Sequence, residues 1–271
     1  MLAIALSACG HSAASPYSTP TPRATETLER AMVLSTSVTL IESASFLSSA
    51  HGMVVGRVVF EGEPPPVIRR PVRVDAALCG DEAREDRSLV IDPATRAIRY
   101  AVVTLVPKGP VPGPAPAIAR KPAIDQARCD FFPYVTLVRP GATVDVVNSD
   151  AGLHDLHRLE PGGPGSHDPS PPGSHVPLTF HRAGRTRLVC DLHYWSSAWV
   201  IATEAPFAAV TDAKGEFSFP DVPIGAWTLG VWHERLGERA LEVTVNANAV
   251  SKSLVALPLP SPSASPTAAP R

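Results

Sequence analysis

The chain has 271 residues, a formal charge of -2, an apolar share of 44% and 30 prolines. That length holds one large or two small domains with ample core, and so much proline excludes a mainly helical protein. Lys and Arg are scattered without forming a basic stripe, which removes the electrostatic basis for nucleic-acid binding.

The N-terminus, "MLAIALSACG", is a short apolar run ending in Leu6-Ser7-Ala8-Cys9, and it resembles the lipobox of bacterial lipoproteins. The resemblance implies a signal over 1–9, lipidation of Cys9, and attachment to a membrane only through that anchor. No Lys or Arg precedes Cys9, which departs from the positive start of a signal peptide. The other reading is an apolar start with a free cysteine. Residues 10–51 are rich in Ser, Thr, Ala and Pro and read as a flexible linker. Within them Met32 to Leu47 is too polar to span a bilayer.

From residue 52 onward, short β-type runs alternate with Gly and Pro. They are "GMVVGRVVF", "SLVID", "IRYAVVTLV", "PYVTLVRPGATVDVVN", "GRTRLVC", "SAWVIAT", "FAAVTDAKGEFSFPDVPIGAWTLGVW" and "ALEVTVNA". This spacing predicts an all-β protein of sandwiches or barrels. The Pro-rich stretches Pro107–Pro122 and Glu160–Pro177 read as loops, and 258–271 as a disordered tail.

Two groups of these runs resemble known families. "VTLVRPGATVDVVNSDAGLHDLH", followed by "FHRAGRTRLVCDLHYWSSAWVIAT", resembles a cupredoxin Greek-key sandwich, and its Cys-x-x-His loop is most similar to that of amicyanin. Gly52 to Asn248 as a whole resembles the cupredoxin-like proteins labelled methylamine utilization proteins, through "CDFFPYV", "VNSDAGLHDLH", "CDLH", "AVTDAKGEF" and "VWHER". The resemblance implies one type 1-like copper site held by His154, Cys190 and His193. Two imidazoles and a thiolate are the donor set of such sites. Asn148 would pin the loop that carries His154. In the family an axial methionine stands three residues after the last histidine. Here that position is Ser196, which implies an open axial site reached by water or small anions.

The bland readings stand beside these. A lone Cys-x-x-His is weak evidence, and a strand-end histidine is usually just solvated. His157 lies an odd step from His154, so on a strand it faces the other way; it reads as an outer neighbour of the site or a surface residue, with a role at a second metal as the lesser alternative. His167, His175 and His181 read as solvated side chains, and Tyr194, Trp195 and Trp199 as packing around the site.

The second resemblance is "AVTDAKGEFSFPDVPIGAWTLGVWHE", which is similar to the closing half of the carboxypeptidase regulatory-like (transthyretin-like) β-sandwich, with Gly215 taking a positive φ in a tight hairpin. Its opening half lies far upstream. This implies a sandwich made of 52–121 and 205–257, interrupted by a cupredoxin-like domain at 122–204, with tandem domains as the alternative. His233 reads as structural.

If Cys9 is lipidated and Cys190 ligates copper, Cys79 and Cys129 remain as a disulfide of an oxidising space or as two unlinked thiols. The combined expectation is a non-enzymatic, extracytoplasmic, periplasmic or cell-surface electron-transfer protein. A copper-delivery lipoprotein and a metal-free structural module are the alternatives. The partner would be a redox or copper-trafficking protein.

Overall fold

A computed structural model of the chain describes residues 50–110, 118, 122–159 and 165–260. Cys9, the rest of the expected signal, residues 10–49 of the expected linker and residues 261–271 lie outside the described residues; His51, expected in the linker, opens the strand His51–Glu61, and Pro258, expected in a disordered tail, ends the strand Val250–Pro258. Among the described residues the only helix is Ala76–Cys79, one turn long; otherwise the chain runs in strands.

The strands follow from residue alternation. In Ala142–Asn148, Val144, Val146 and Asn148 are buried while the residues between them are not, and Gly184–Cys190 buries Thr186, Leu188 and Cys190 in the same rhythm. Period-two burial is what a strand with one face on a core requires.

Four main sheets form two sandwiches. In one, Glu216–Pro223, His51–Glu61 and Val250–Pro258 form a three-stranded sheet, and Phe207–Val210, Val102–Pro107, Gly225–His233 and Gly237–Val245 a four-stranded one. Val54, Val58 and Phe219 of the first sheet share a core with Leu105, Trp227 and Leu229 of the second. The other sandwich pairs a sheet of His175–Phe180, Ala142–Asn148, Ala123–Ala127 and Asp130–Phe132 with one of Ser166–Ser170, His154–Leu159, Gly184–Cys190, Ser197–Ala202 and Val135–Val138. Ile124, Phe131, Val144 and Val146 meet Leu156, Leu188, Ala198 and Val200 in its core. The two sandwiches touch through Val102, Tyr134, Val135 and Ile201, with the Trp199 and Trp232 rings 5.1 Å apart, edge to face.

Two expectations need correction. "IRYAVVTLV" is not one strand: Tyr100 takes φ 70, and the run divides into Ile98–Arg99 and Val102–Pro107. Buried Thr211 stabilises the break, its Oγ1 accepting from Ala101 N and donating to Ile98 O. The stretch Glu160–Pro177 is not all loop, because it contributes Ser166–Ser170 and the start of His175–Phe180. Both strands lie at the edge of their sheets, where Pro169 and Pro177 can sit without breaking a central ladder. Gly215 adopts φ +71 in its turn, and a Cβ there would stand 2.5 Å from Val58 O.

His233 is almost fully buried beside the first core; burial, reinforced by the Arg235 charge, pushes its pKa from 6.5 down to about 4. Between those values the unfolded chain takes up a proton that the folded chain excludes. Stability is therefore full above pH 6.5 and falls as the pH drops toward 4, by up to about 3 kcal/mol. Asp130 and Glu234, whose pKa values burial raises, act in the opposite direction, so the test is a difference. Denaturant unfolding of wild type and His233→Asn at several pH values should show the gap between them narrowing as the pH falls from 6.5 to 4. A constant gap would contradict the assignment.

Candidate metal centre

His154, Cys190 and His193 meet at one end of the second sandwich, each set by a local rule of strand geometry. Cys190 is two residues beyond core residue Leu188, so alternation turns it inward. It pairs with Leu156 on the next strand, and His154, two residues before Leu156, turns to the same side. His193 is carried by a tight turn after Cys190, closed by Ser196 N donating to His193 O (2.7 Å) and Cys190 N donating to Ser196 O (3.2 Å). The approach to His154 is fixed by buried Asn148, whose Nδ2 donates to Gly152 O and Ser170 O and whose Oδ1 accepts from Asp150 N.

The donor atoms face one another. His154 Nδ1 and His193 Nδ1 are 3.0 Å apart, and Cys190 Sγ lies 3.6 and 3.5 Å from them. Behind each ring stands a carboxylate: His154 Nε2 donates to Asp150 Oδ2 (3.0 Å) and His193 Nε2 to Asp75 Oδ2 (3.1 Å). A carboxylate only accepts, so each Nε2 carries the proton and each Nδ1 presents a bare lone pair. Two lone pairs so close repel; the Cys190 S–H can donate to one of them, and a cation between them satisfies both. Metal–nitrogen distances of about 2.0 Å and metal–sulfur of about 2.3 Å give donor–donor edges of about 3.3–3.8 Å; the two sulfur–nitrogen separations match them, and the nitrogen pair at 3.0 Å would have to open slightly around an ion.

Burial, helped by the Asp155 charge, pushes the Cys190 thiol up, and burial pushes His193 down. In the absence of a cation burial favours the neutral forms of Cys190 and His193, and a cation that displaces the thiol proton reverses that preference.

Two further buried polar side chains lack ordinary hydrogen-bond partners at this end of the sandwich. Ser196 Oγ is one; it lies toward Asp130, whose charge it helps to hold, without a hydrogen bond of ordinary geometry. The other is Gln126, fully buried with both amide atoms unpartnered. It faces inward in register with Asn148, two residues beyond core residue Ile124. Sequence reasoning missed Gln126, because a single glutamine in "AIDQA" carries no motif.

A roof from the other end of the chain covers the centre. Asp75, at φ 51, reaches His193, and Leu78 packs so closely on Gly152 that a Cβ there would stand 2.1 Å from its Cδ2. Tyr194 OH donates to Pro71 O, and a disulfide joins Cys79 to Cys129. Trp195 Nε1 donates to Cys129 O beneath this bridge. His154, Cys190, His193 and Ser196 are all buried as a result, which corrects the expectation of an axial side open to water and small anions. No sequence signal marked the roof, since Asp75 lies 118 residues before His193.

The other histidines that the sequence singled out in this sandwich lie elsewhere. His157 points away from the centre and binds Asp191, as does His167; His175 binds Asp145; His181 is exposed. Groupings of Cys79 or Cys129 with His193, His154 and Asp150 offer no thiolate, because both sulfurs are in the disulfide.

No family profile matches the sequence, and no curated protein matches it. Solved structures with a local likeness include a purple cupredoxin from Nitrosopumilus maritimus, 18% identical over 30% of this chain and 99% of its own, with a TM-score of 0.28. A reduced amicyanin variant is 21% identical over 37% of this chain and 99% of its own, at 0.30. A copper-containing nitrite reductase from Thermus scotoductus SA-01 is 22% identical over 35% of this chain, at 0.29, and the match spans only 25% of the reductase. At such scores, the chemistry of the site rests on its own side chains.

Replacing Cys79 and Cys129 together with Ser should cost about 2–5 kcal/mol of stability and expose Cys190 to thiol reagents. Maleimide labelling of the Cys190 peptide, followed by mass spectrometry, should accelerate by about tenfold for each ~1.4 kcal/mol by which opening becomes easier. Unchanged labelling would mean that the roof does not control access.

Proposed function

We propose that the chain is a copper-binding electron-transfer protein of an oxidising, extracytoplasmic space, and that it is not an enzyme. The observation that carries this reading is the pair of bare Nδ1 lone pairs, 3.0 Å apart, beside a buried thiol. Soft thiolate with two imidazoles suits copper, whereas a structural zinc site takes four protein ligands. Bound there, copper would supply one-electron redox chemistry. Asp150 and Asp75 hold both rings in the tautomer that presents Nδ1, and the roof excludes water.

Gln126, whose buried carboxamide has no other partner, would be a further donor in preference to Ser196, which leans toward Asp130. Burial of the donors favours a carrier over a delivery protein, which needs an accessible ion. The disulfide supports an oxidising compartment, and lipid attachment through Cys9 completes the proposed location. Beside His193, Leu192 and Tyr194 are exposed and line a groove with Val74, Arg69, Arg70 and Arg73. That mixture fits a redox partner with an acidic rim.

Titration of the purified protein with Cu(II), followed by visible and electron-spin spectra, tests the proposal. Wild type should bind one equivalent at this centre with an intense thiolate-to-copper band. Cys190→Ser should abolish the band while the protein stays folded, and Gln126→Leu should shift the spectrum where Ser196→Ala does not. Cu(II) binding without any thiolate band in wild type would overturn the assignment.

A further inference from the structure

On the outer face of the second sandwich, two imidazoles and a carboxylate converge in the same manner. His157 and His167 are directly opposite one another on the antiparallel strands His154–Leu159 and Ser166–Ser170. Residues in that relation project to the same side, and their rings lie 3.8 Å apart at 31°. Asp191, next in the chain after Cys190, extends its carboxylate to both, 3.2 Å from His157 Nδ1 and 3.1 Å from His167 Nδ1. All three donor atoms lie within 4.8 Å of one another.

We propose that His157, His167 and Asp191 form a second site, open to solvent, for a divalent transition-metal ion such as Cu(II) or Zn(II). Three observations carry it. First, the donors are preorganised: the histidines are fixed by a strand ladder, and Asp191 N is anchored to Asp155 O at 3.1 Å. Donors held before the ion arrives lose little freedom on binding. Second, the set is mixed. Two imidazoles and one carboxylate suit the later first-row divalent ions, and three protein donors leave positions for water. The side-chain exposures of 20% for His157, 39% for Asp191 and 55% for His167 give an ion a way in from solvent. Third, the surroundings favour a cation. Asp155, two residues before His157 and on the same face of its strand, has Oδ1 buried without a partner, so a second negative group stands beside the cluster.

Without an ion, both Nδ1–H groups donate to the one carboxylate. Binding an ion through Nδ1 would require each ring to carry its proton on Nε2 instead, which frees Nδ1 as a donor. This site rests on none of the three buried donors and stands or falls apart from the buried centre.

The test uses the full chain carrying Cys190→Ser, which removes the thiolate of the buried centre. Equilibrium dialysis against Cu(II), with electron-spin spectra, should show one equivalent in an ordinary tetragonal environment with imidazole nitrogen couplings. Adding His167→Ala should weaken that binding by at least about 10–100-fold, the loss typical of removing even an outer-shell partner of a metal. Adding His175→Ala, a surface histidine bound to Asp145, should change nothing. Equal affinity with and without His167 would overturn the proposal. Should His167→Ala fail to fold, diethyl pyrocarbonate footprinting of wild type gives the answer. Zn(II) should protect His157 and His167 while His175 and His181 stay reactive, and equal modification of all four with and without Zn(II) overturns the site.

Discussion

Everything at the buried centre depends on two hydrogen bonds that lie behind it. Asp150 and Asp75 each claim the outer nitrogen of one imidazole, and by doing so they decide which nitrogen faces inward without a proton. Were either carboxylate removed, a ring could turn over or shift its proton, and the two nitrogens at 3.0 Å would settle their conflict by sharing a hydrogen. With both in place, each ring keeps a proton on Nε2 and turns Nδ1 inward, and a cation held between the two nitrogens relieves their conflict.

The two carboxylates come from different parts of the chain. Asp150 belongs to the same sandwich as the donors and is itself held by the backbone N–H groups of Arg128 and Cys129. Asp75 arrives from the segment that follows the first strand, and it stays in place because Cys79 is bonded to Cys129 and Leu78 fills the space above Gly152. Cys129 thus takes part in both arrangements: its N–H helps to orient Asp150, and its sulfur holds the segment that carries Asp75. A residue that looks like half of a stability device also sets the chemistry of both rings.

The three donors were legible in sequence because each obeys a short-range rule. Cys190 ends an alternating strand, His193 follows within one turn, and His154 follows a strand that ends in asparagine. The alternation of "ATVDVVN" and "GRTRLVC" likewise announces the strands that bear them. What could not be read is what depends on long-range placement. Asp75 sits in a segment without periodicity, Gln126 in a strand whose inward face only the fold defines, and Asp191 carries no motif beyond its place after the cysteine. For Cys79 and Cys129, counting cysteines left a disulfide and free thiols equally open, and only the fold brings the two together. The edge strand Ser166–Ser170 was hidden by Pro169, a residue that composition counts against strands everywhere and geometry forbids only in the middle of sheets.

The roof also imposes an order of events. Residues 71–79 are synthesised before the strands that bring Cys190 and His193 to the centre, yet they can settle only on top of those strands once these have formed. Until Cys79 and Cys129 are oxidised, the cover rests on non-covalent contacts and can lift; afterwards it is sealed. An ion that reaches the donors before the seal is held beneath it, and one that comes later enters only as fast as the roof opens. The speed of loading is then set by whether metal or oxidant arrives first.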